Sequence, residues 1–151
     1  MFYKELPDLI YDRNELYSFQ DNNPDYQENV HFKKGYSFDT AKECLFFDLP
    51  ANNAECIQRV IDDNNLDISI SDCKFTKVLA GGNMPYHIDP QRAEVLMIPL
   101  TDDPAPVVWV DEQDNIIQEH IYRMPTIINA KIKHGVPSVT FDRIFLQMKY
   151  K

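Results

Sequence analysis

From residue 66 onward, apolar and β-branched runs alternate with short polar clusters. The runs cover residues 66–70, 73–80, 94–100, 107–111, 116–122, 126–132 and 139–149. Between them lie Thr-Asp-Asp-Pro, Asp-Glu-Gln-Asp-Asn, Arg-Met-Pro and Gly-Val-Pro-Ser, which are turn and breaker signals. Strands at a spacing of about ten residues with no helix between them predict an antiparallel sandwich or a jelly-roll barrel. A parallel βαβ arrangement is excluded, because its crossovers need a dozen or more residues.

Upstream the pattern changes period. In residues 54–63, Ile57, Val60 and Ile61 recur at i, i+3 and i+4, which predicts one amphipathic helix, with Asn52 or Asn53 as its N-cap and Glu55 in its first turn. A second short helix is expected over residues 12–19. Residues 1–50 are otherwise aromatic and polar, with turn signals at Asn22-Asn23-Pro24 and Lys34-Gly35 and short strands expected around His31-Phe32 and Leu45-Phe46-Phe47. The chain reads as a single domain over 1–151, in which 1–70 support a core formed by 71–151.

Charge and composition narrow the function. A net charge of −9 argues against a nucleic-acid backbone or an anionic membrane surface as the main partner. No apolar run is long enough to span a bilayer, and the N-terminus lacks the apolar core of a secretory signal, so the expected location is cytoplasmic. Cys44, Cys56 and Cys73 are odd in number and lack Cys-x-x-Cys spacing, so they read as reduced thiols.

The candidate chemistry begins after Gly81-Gly82. His87 and Asp89 are two apart, and in extended backbone such residues share a face. His134 follows a predicted strand and precedes a turn at Gly135, and an antiparallel barrel can bring it beside His87. Two imidazoles and one carboxylate with open positions form the facial triad of a non-haem Fe(II) site. Arg143 stands in the last predicted strand with Phe145 and Gln147 on its face and Ile144, Leu146 and Met148 on the other. A buried guanidinium needs a partner, either a planar carboxylate held bidentately or a nearby Asp or Glu. Arg92 and Asn129 are secondary candidates for the pocket, the alternatives being a pair of Arg92 with Glu94 or Asp102 and an ordinary sheet role for Asn129. Trp109, flanked by valines, reads as core, and His120 as surface.

His87-x-Asp89, then His134, then Arg143 nine residues further on resembles the Fe(II)/2-oxoglutarate-dependent dioxygenases, in particular their prolyl hydroxylase-like and aspartyl/asparaginyl hydroxylase-like branches. His87-Ile-Asp-Pro-Gln-Arg-Ala-Glu-Val-Leu-Met-Ile-Pro-Leu100 is similar to that family's metal-bearing strand and the strand after it. The resemblance covers residues 74–150. It implies an all-β, double-stranded β-helix (cupin-like jelly roll) with one or two N-terminal helices, Fe(II) on His87, Asp89 and His134, and Arg143 on the far carboxylate of 2-oxoglutarate. With O₂ as the third participant, it implies hydroxylation of a C–H bond in a protein side chain, an amino acid or a small metabolite. Phe145 stands where the family's Arg-x-Ser form has serine, so that motif leaves the carboxylate without its second anchor. The alternative reading is a cupin-like protein that holds a metal without oxygen chemistry.

Overall fold

The structure, a computed structural model, describes residues 1–29 and 45–151; the strand expected around His31-Phe32, and Cys44, lie outside them. In chain order the elements are β1 (Tyr3–Glu5), α1 (Arg13–Asp21), β2 (Gln27–Glu28), β3 (Phe46–Pro50), α2 (Glu55–Asp63), β4 (Cys73–Val78), β5 (Met84–His87), β6 (Glu94–Pro99), β7 (Val107–Val110), β8 (Ile116–His120), β9 (Thr126–Asn129), β10 (His134–Val136) and β11 (Arg143–Lys149).

From β4 onward the chain passes back and forth between two antiparallel sheets, except that β7 and β8 pair with each other in the smaller one. The larger runs β1-β9-β6-β11-β4-β3-β2 and the smaller β5-β10-β7-β8. Strands β4 to β11 thus form a jelly roll, and β1, β2 and β3 extend the edges of its larger sheet. The period-2 alternation decides what each face meets. On β11, Ile144, Leu146 and Met148 join Phe75, Leu96 and Ile98 in an outer core covered by Leu16 of α1 and by Ile57, Val60 and Ile61 of α2. Phe145 turns the other way, into a core between the sheets with Val78, Met97, Val107, Trp109 and Val136. The helices thus support the larger sheet from behind and leave its inner face to the smaller sheet.

Three local expectations need correction. Residues 66–70 form no strand: Leu66, Ile68 and Ile70 pack against the helix-side core, and a 3₁₀ turn at Ile70–Asp72 leads into β4. Their apolar alternation reflects this edge packing, with no neighbouring strand to pair. Asn52 and Asn53 do not cap α2; both are left-handed (φ +45° and +60°), a conformation that asparagine tolerates, and the N-cap is Ala54, which makes no side-chain cap. No turn falls at Gly135: His134 opens a strand of its own, β10, and Gly135 lies within it, paired with Val108 of β7.

Candidate metal centre

β5 and β10 pair so that His87 and His134 stand directly opposite one another. Their ring centroids are 4.5 Å apart. Gly135 permits this approach: a Cβ there would meet the Met84 carbonyl oxygen at 2.6 Å and the Tyr86 ring at 2.8 Å. Asp89 follows two residues after His87, held by its own N–H donating to the Ala130 carbonyl (3.0 Å) and by Lys131 Nζ donating to the Asp89 and Pro90 carbonyls (3.1 and 3.2 Å). One ligating atom from each of His87, Asp89 and His134 lies within 4.8 Å of the others, and all three residues are buried.

The hydrogen bonds fix which nitrogen of each ring faces inward. His87 Nδ1 lies 2.7 Å from the Pro85 carbonyl and His134 Nδ1 2.7 Å from the Ile132 carbonyl. A carbonyl can only accept, so both Nδ1 atoms carry a proton, and Nε2 is the nitrogen that each ring turns to the centre, where its lone pair is free to ligate when the ring holds no second proton. Backbone carbonyls orient metal-ligating histidines in this way. His87 Nε2 is 3.1 Å from Asp89 Oδ1. With a neutral ring, two acceptors would face each other there, and a cation between them removes the conflict. The donor set fits a metal ion.

The surrounding charges favour the ligating protonation states. Burial, then the neighbouring His87, lowers the His134 pKa to about 4, so its ring is neutral near neutral pH. Burial alone would raise the Asp89 carboxyl, but its contact with His87 and the charge of Arg92 outweigh it and hold the group below the usual carboxylate range. Arg92 Nη2 lies 2.8 Å from Asp89 Oδ2. Its partner is therefore Asp89, not Glu94 or Asp102, and one carboxylate oxygen is capped while the other faces His87.

The triad lines a cavity of about 280 Å³ that also contains Arg143, Tyr122, Phe145 and Arg92. Arg143 is 3% exposed. Its Nη1 donates to the Ala105 carbonyl at 2.7 Å and reaches Asp103 Oδ2 at 3.5 Å. Nε and Nη2 make no hydrogen bond among the described residues, which leaves one edge of the guanidinium fork unused. Its carbon lies 5.3 Å from the centre of the Tyr122 ring and 4.8 Å from that of Phe145. Burial raises the Tyr122 phenol well above its ordinary value, so it stays a hydroxyl donor.

Sequence reasoning missed Tyr122, which lies just past β8, and no local spacing ties it to Arg143. Asn129 does not line this cavity; its side chain donates to the Met1 carbonyl and accepts from the Lys131 N–H (both 3.0 Å). Trp109 is fully buried core, its Nε1 donating to the Asn129 carbonyl at 3.1 Å. His120, expected at the surface, is buried: β1 brings Tyr3 over it, the rings stacked 4.0 Å apart.

No protein-family model and no curated protein matches the chain. Solved structures do. The chain is similar to a 2OG-Fe(II) oxygenase-family oxidoreductase from Burkholderia pseudomallei, with TM-score 0.53 and 14% identity over 97% of this chain and 84% of that one. It is similar to a Pseudomonas putida prolyl-4-hydroxylase, with TM-score 0.56 and 10% identity over 99% and 92% of the two chains. A third likeness is to the viral collagen prolyl hydroxylase of Paramecium bursaria Chlorella virus-1, solved as a 2OG complex, with TM-score 0.55 and 12% identity over 97% and 93%. At these identities the likeness is one of fold. No helix among the described residues is long and apolar enough to cross a membrane.

Proposed function

We propose that this protein is an Fe(II)- and 2-oxoglutarate-dependent oxygenase that hydroxylates a C–H bond. The observation that carries the reading is the shared cavity: a buried guanidinium with an unused edge in the same 280 Å³ space as two histidines and an aspartate. A protein that only holds a metal has no need of that guanidinium.

In this reading His87, Asp89 and His134 hold the iron through two nitrogens and one oxygen, a donor set that leaves open positions on a six-coordinate ion. Fe(II), 2-oxoglutarate and O₂, when bound, supply the oxidising power for the hydroxylation. Arg143 receives the far carboxylate of the cosubstrate through Nε and Nη2, a planar match for two carboxylate oxygens. Tyr122 supplies the second anchor that the sequence lacks at Phe145, its hydroxyl donating to the same carboxylate. Val78, Val107, Val136 and Phe145 keep this end apolar, which strengthens the Arg143–carboxylate attraction. Arg92 keeps Asp89 ionised and turned to the metal.

The test is an anaerobic titration with Fe(II) and then 2-oxoglutarate, following the visible charge-transfer band of an iron-chelated keto acid. The wild type gives the band. Arg143→Met binds iron normally but requires much more 2-oxoglutarate to develop it. Bound iron without a band would overturn the oxygenase reading in favour of a metal-binding protein without oxygen chemistry.

A further inference from the structure

The inner face of the larger sheet continues past Phe145, and its character changes. Gln147 stands four residues beyond Arg143 on β11, about 13 Å along the strand at an ordinary strand rise. On the adjacent β4, Thr76 is the register partner of Phe145 and Lys74 that of Gln147. Thr76, Gln147 and Lys74 all line the same cavity as the triad.

Thr76 is 4% exposed and Gln147 9% exposed. Neither side chain makes a hydrogen bond among the described residues, although buried amides and hydroxyls almost always find partners. A hydroxyl and a carboxamide, diagonal neighbours on one sheet face, therefore open into the cavity with donor and acceptor capacity in hand.

The charges around them are already balanced. Lys74 Nζ lies 3.2 Å from Asp48 Oδ1. Asp48 Oδ2 in turn accepts from Asn29 Nδ2 at 2.8 Å. Arg92, which also lines this cavity, is paired with Asp89 at 2.8 Å. A charged group docked against Gln147 would lose water without finding an uncompensated partner, which is costly. A carboxamide suits the site better, because it can both donate to and accept from the Gln147 amide while the Thr76 hydroxyl takes a further bond.

We propose that Gln147 and Thr76 form a substrate subsite for a neutral amide group, distinct from the anionic subsite at Arg143. The inference rests on the oxygenase reading only for calling the occupant a substrate; the amide preference stands on the side chains alone. A free small-molecule amide and a peptide bond offer the same chemistry.

The test is calorimetric titration of the purified full chain, with and without Mn(II) and 2-oxoglutarate, using three probes. These are N-acetylglycinamide, its carboxylate counterpart N-acetylglycine, and the blocked peptide Ac-(Ala)₄-NH₂. One or both neutral amides should bind at least about tenfold more tightly than N-acetylglycine, and the isosteric variants Gln147→Met and Thr76→Val should each weaken that binding by about tenfold. Mn(II) affinity in both variants should match the wild type, which also shows that they fold. Tighter binding of the peptide assigns the site to a peptide bond, and tighter binding of N-acetylglycinamide to a small molecule. With Mn(II) and 2-oxoglutarate bound, so that the metal centre and Arg143 are occupied, equal or tighter binding of N-acetylglycine, no amide binding, or amide binding indifferent to both variants overturns the subsite. Failure of Mn(II) to bind the wild type while amide binding keeps its sensitivity to Gln147→Met would sink the oxygenase reading and leave the subsite standing.

Discussion

His134 lies directly across the β5–β10 pair from His87, and each ring is turned inward by a backbone carbonyl two residues before it. The two candidate ligands therefore come with their orientation set by the sheet itself. Removing either ring should leave the sheet intact and the metal without a nitrogen. A bound metal at 100 times its dissociation constant stabilises a protein by about 2.7 kcal/mol, and His134→Ala should lose nearly all of that gain. Thermal melts with and without Mn(II) measure it. A variant that still gains the wild-type increment on metal addition would show that His134 is no ligand.

Arg92 pairs with Asp89 and is not itself one of the three candidate ligands, so its effect should be on affinity without abolishing the site. Loss of such a supporting partner typically costs about 10–100-fold in metal affinity. Arg92→Ala should fall in that range when Mn(II) binding is followed by electron paramagnetic resonance. Arg92→Lys, which keeps a cation near Asp89 Oδ2, should recover part of the loss, whereas Arg92→Gln should not. Identical affinities for all three variants would make the 2.8 Å pair incidental.

The pairing of His87 with Asp89 and the oddity of Arg143 were legible in the sequence because both signals are local, whereas His134 joins them only through the β5–β10 pairing. His87 and Asp89 share a face through the period of an extended chain, and Arg143 stood out as a charge in an alternating apolar strand. What could not be read is what distant segments bring. Tyr122 meets Arg143 only when β8 and β11 close on opposite sheets. Arg92 turned to Asp89 because the tight turn after β5 folds its side chain back three residues, a geometry that the charges of Glu94 and Asp102 did not reveal. His120 has polar neighbours, Gln118 and Glu119, and reads as surface until β1, from the other end of the chain, lays Tyr3 across it.

That cover gives His120 a measurable signature. Burial lowers its pKa, with the charge of Glu5 opposing. A histidine whose folded pKa is depressed takes up a proton more readily when unfolded, whose ordinary value is about 6.5. Its contribution is therefore intact above that pH and is lost progressively as the pH falls below it. In urea unfolding between pH 7.5 and 5, His120→Phe should lose less stability on acidification than the wild type. Other groups act equally in both proteins and cancel in the difference. Parallel pH profiles would mean that the His120 ring titrates as it does in solvent.

Gly135 provides the sharpest separation of site from fold. It sits beside His134 and packs against β5, where a Cβ would lie 2.6 Å from the Met84 carbonyl oxygen and 3.0 Å from that of Pro85. These are backbone atoms, so the crowding cannot be relieved by turning a side chain; β5 itself must move away from β10. Overpacking of this kind costs about 1–3 kcal/mol of stability. The displacement falls on the strand that carries His87 and on the carbonyl that orients its ring. Gly135→Ala should therefore remain folded at moderate temperature yet lose metal affinity by a larger factor than Arg92→Ala. Leu146→Ala is the control: fully buried in the helix-side core, it should lose about 2–5 kcal/mol by leaving a cavity. Its metal affinity should stay near that of the wild type. Equal metal binding in Gly135→Ala and wild type would mean that β5 accommodates the methyl group without moving His87.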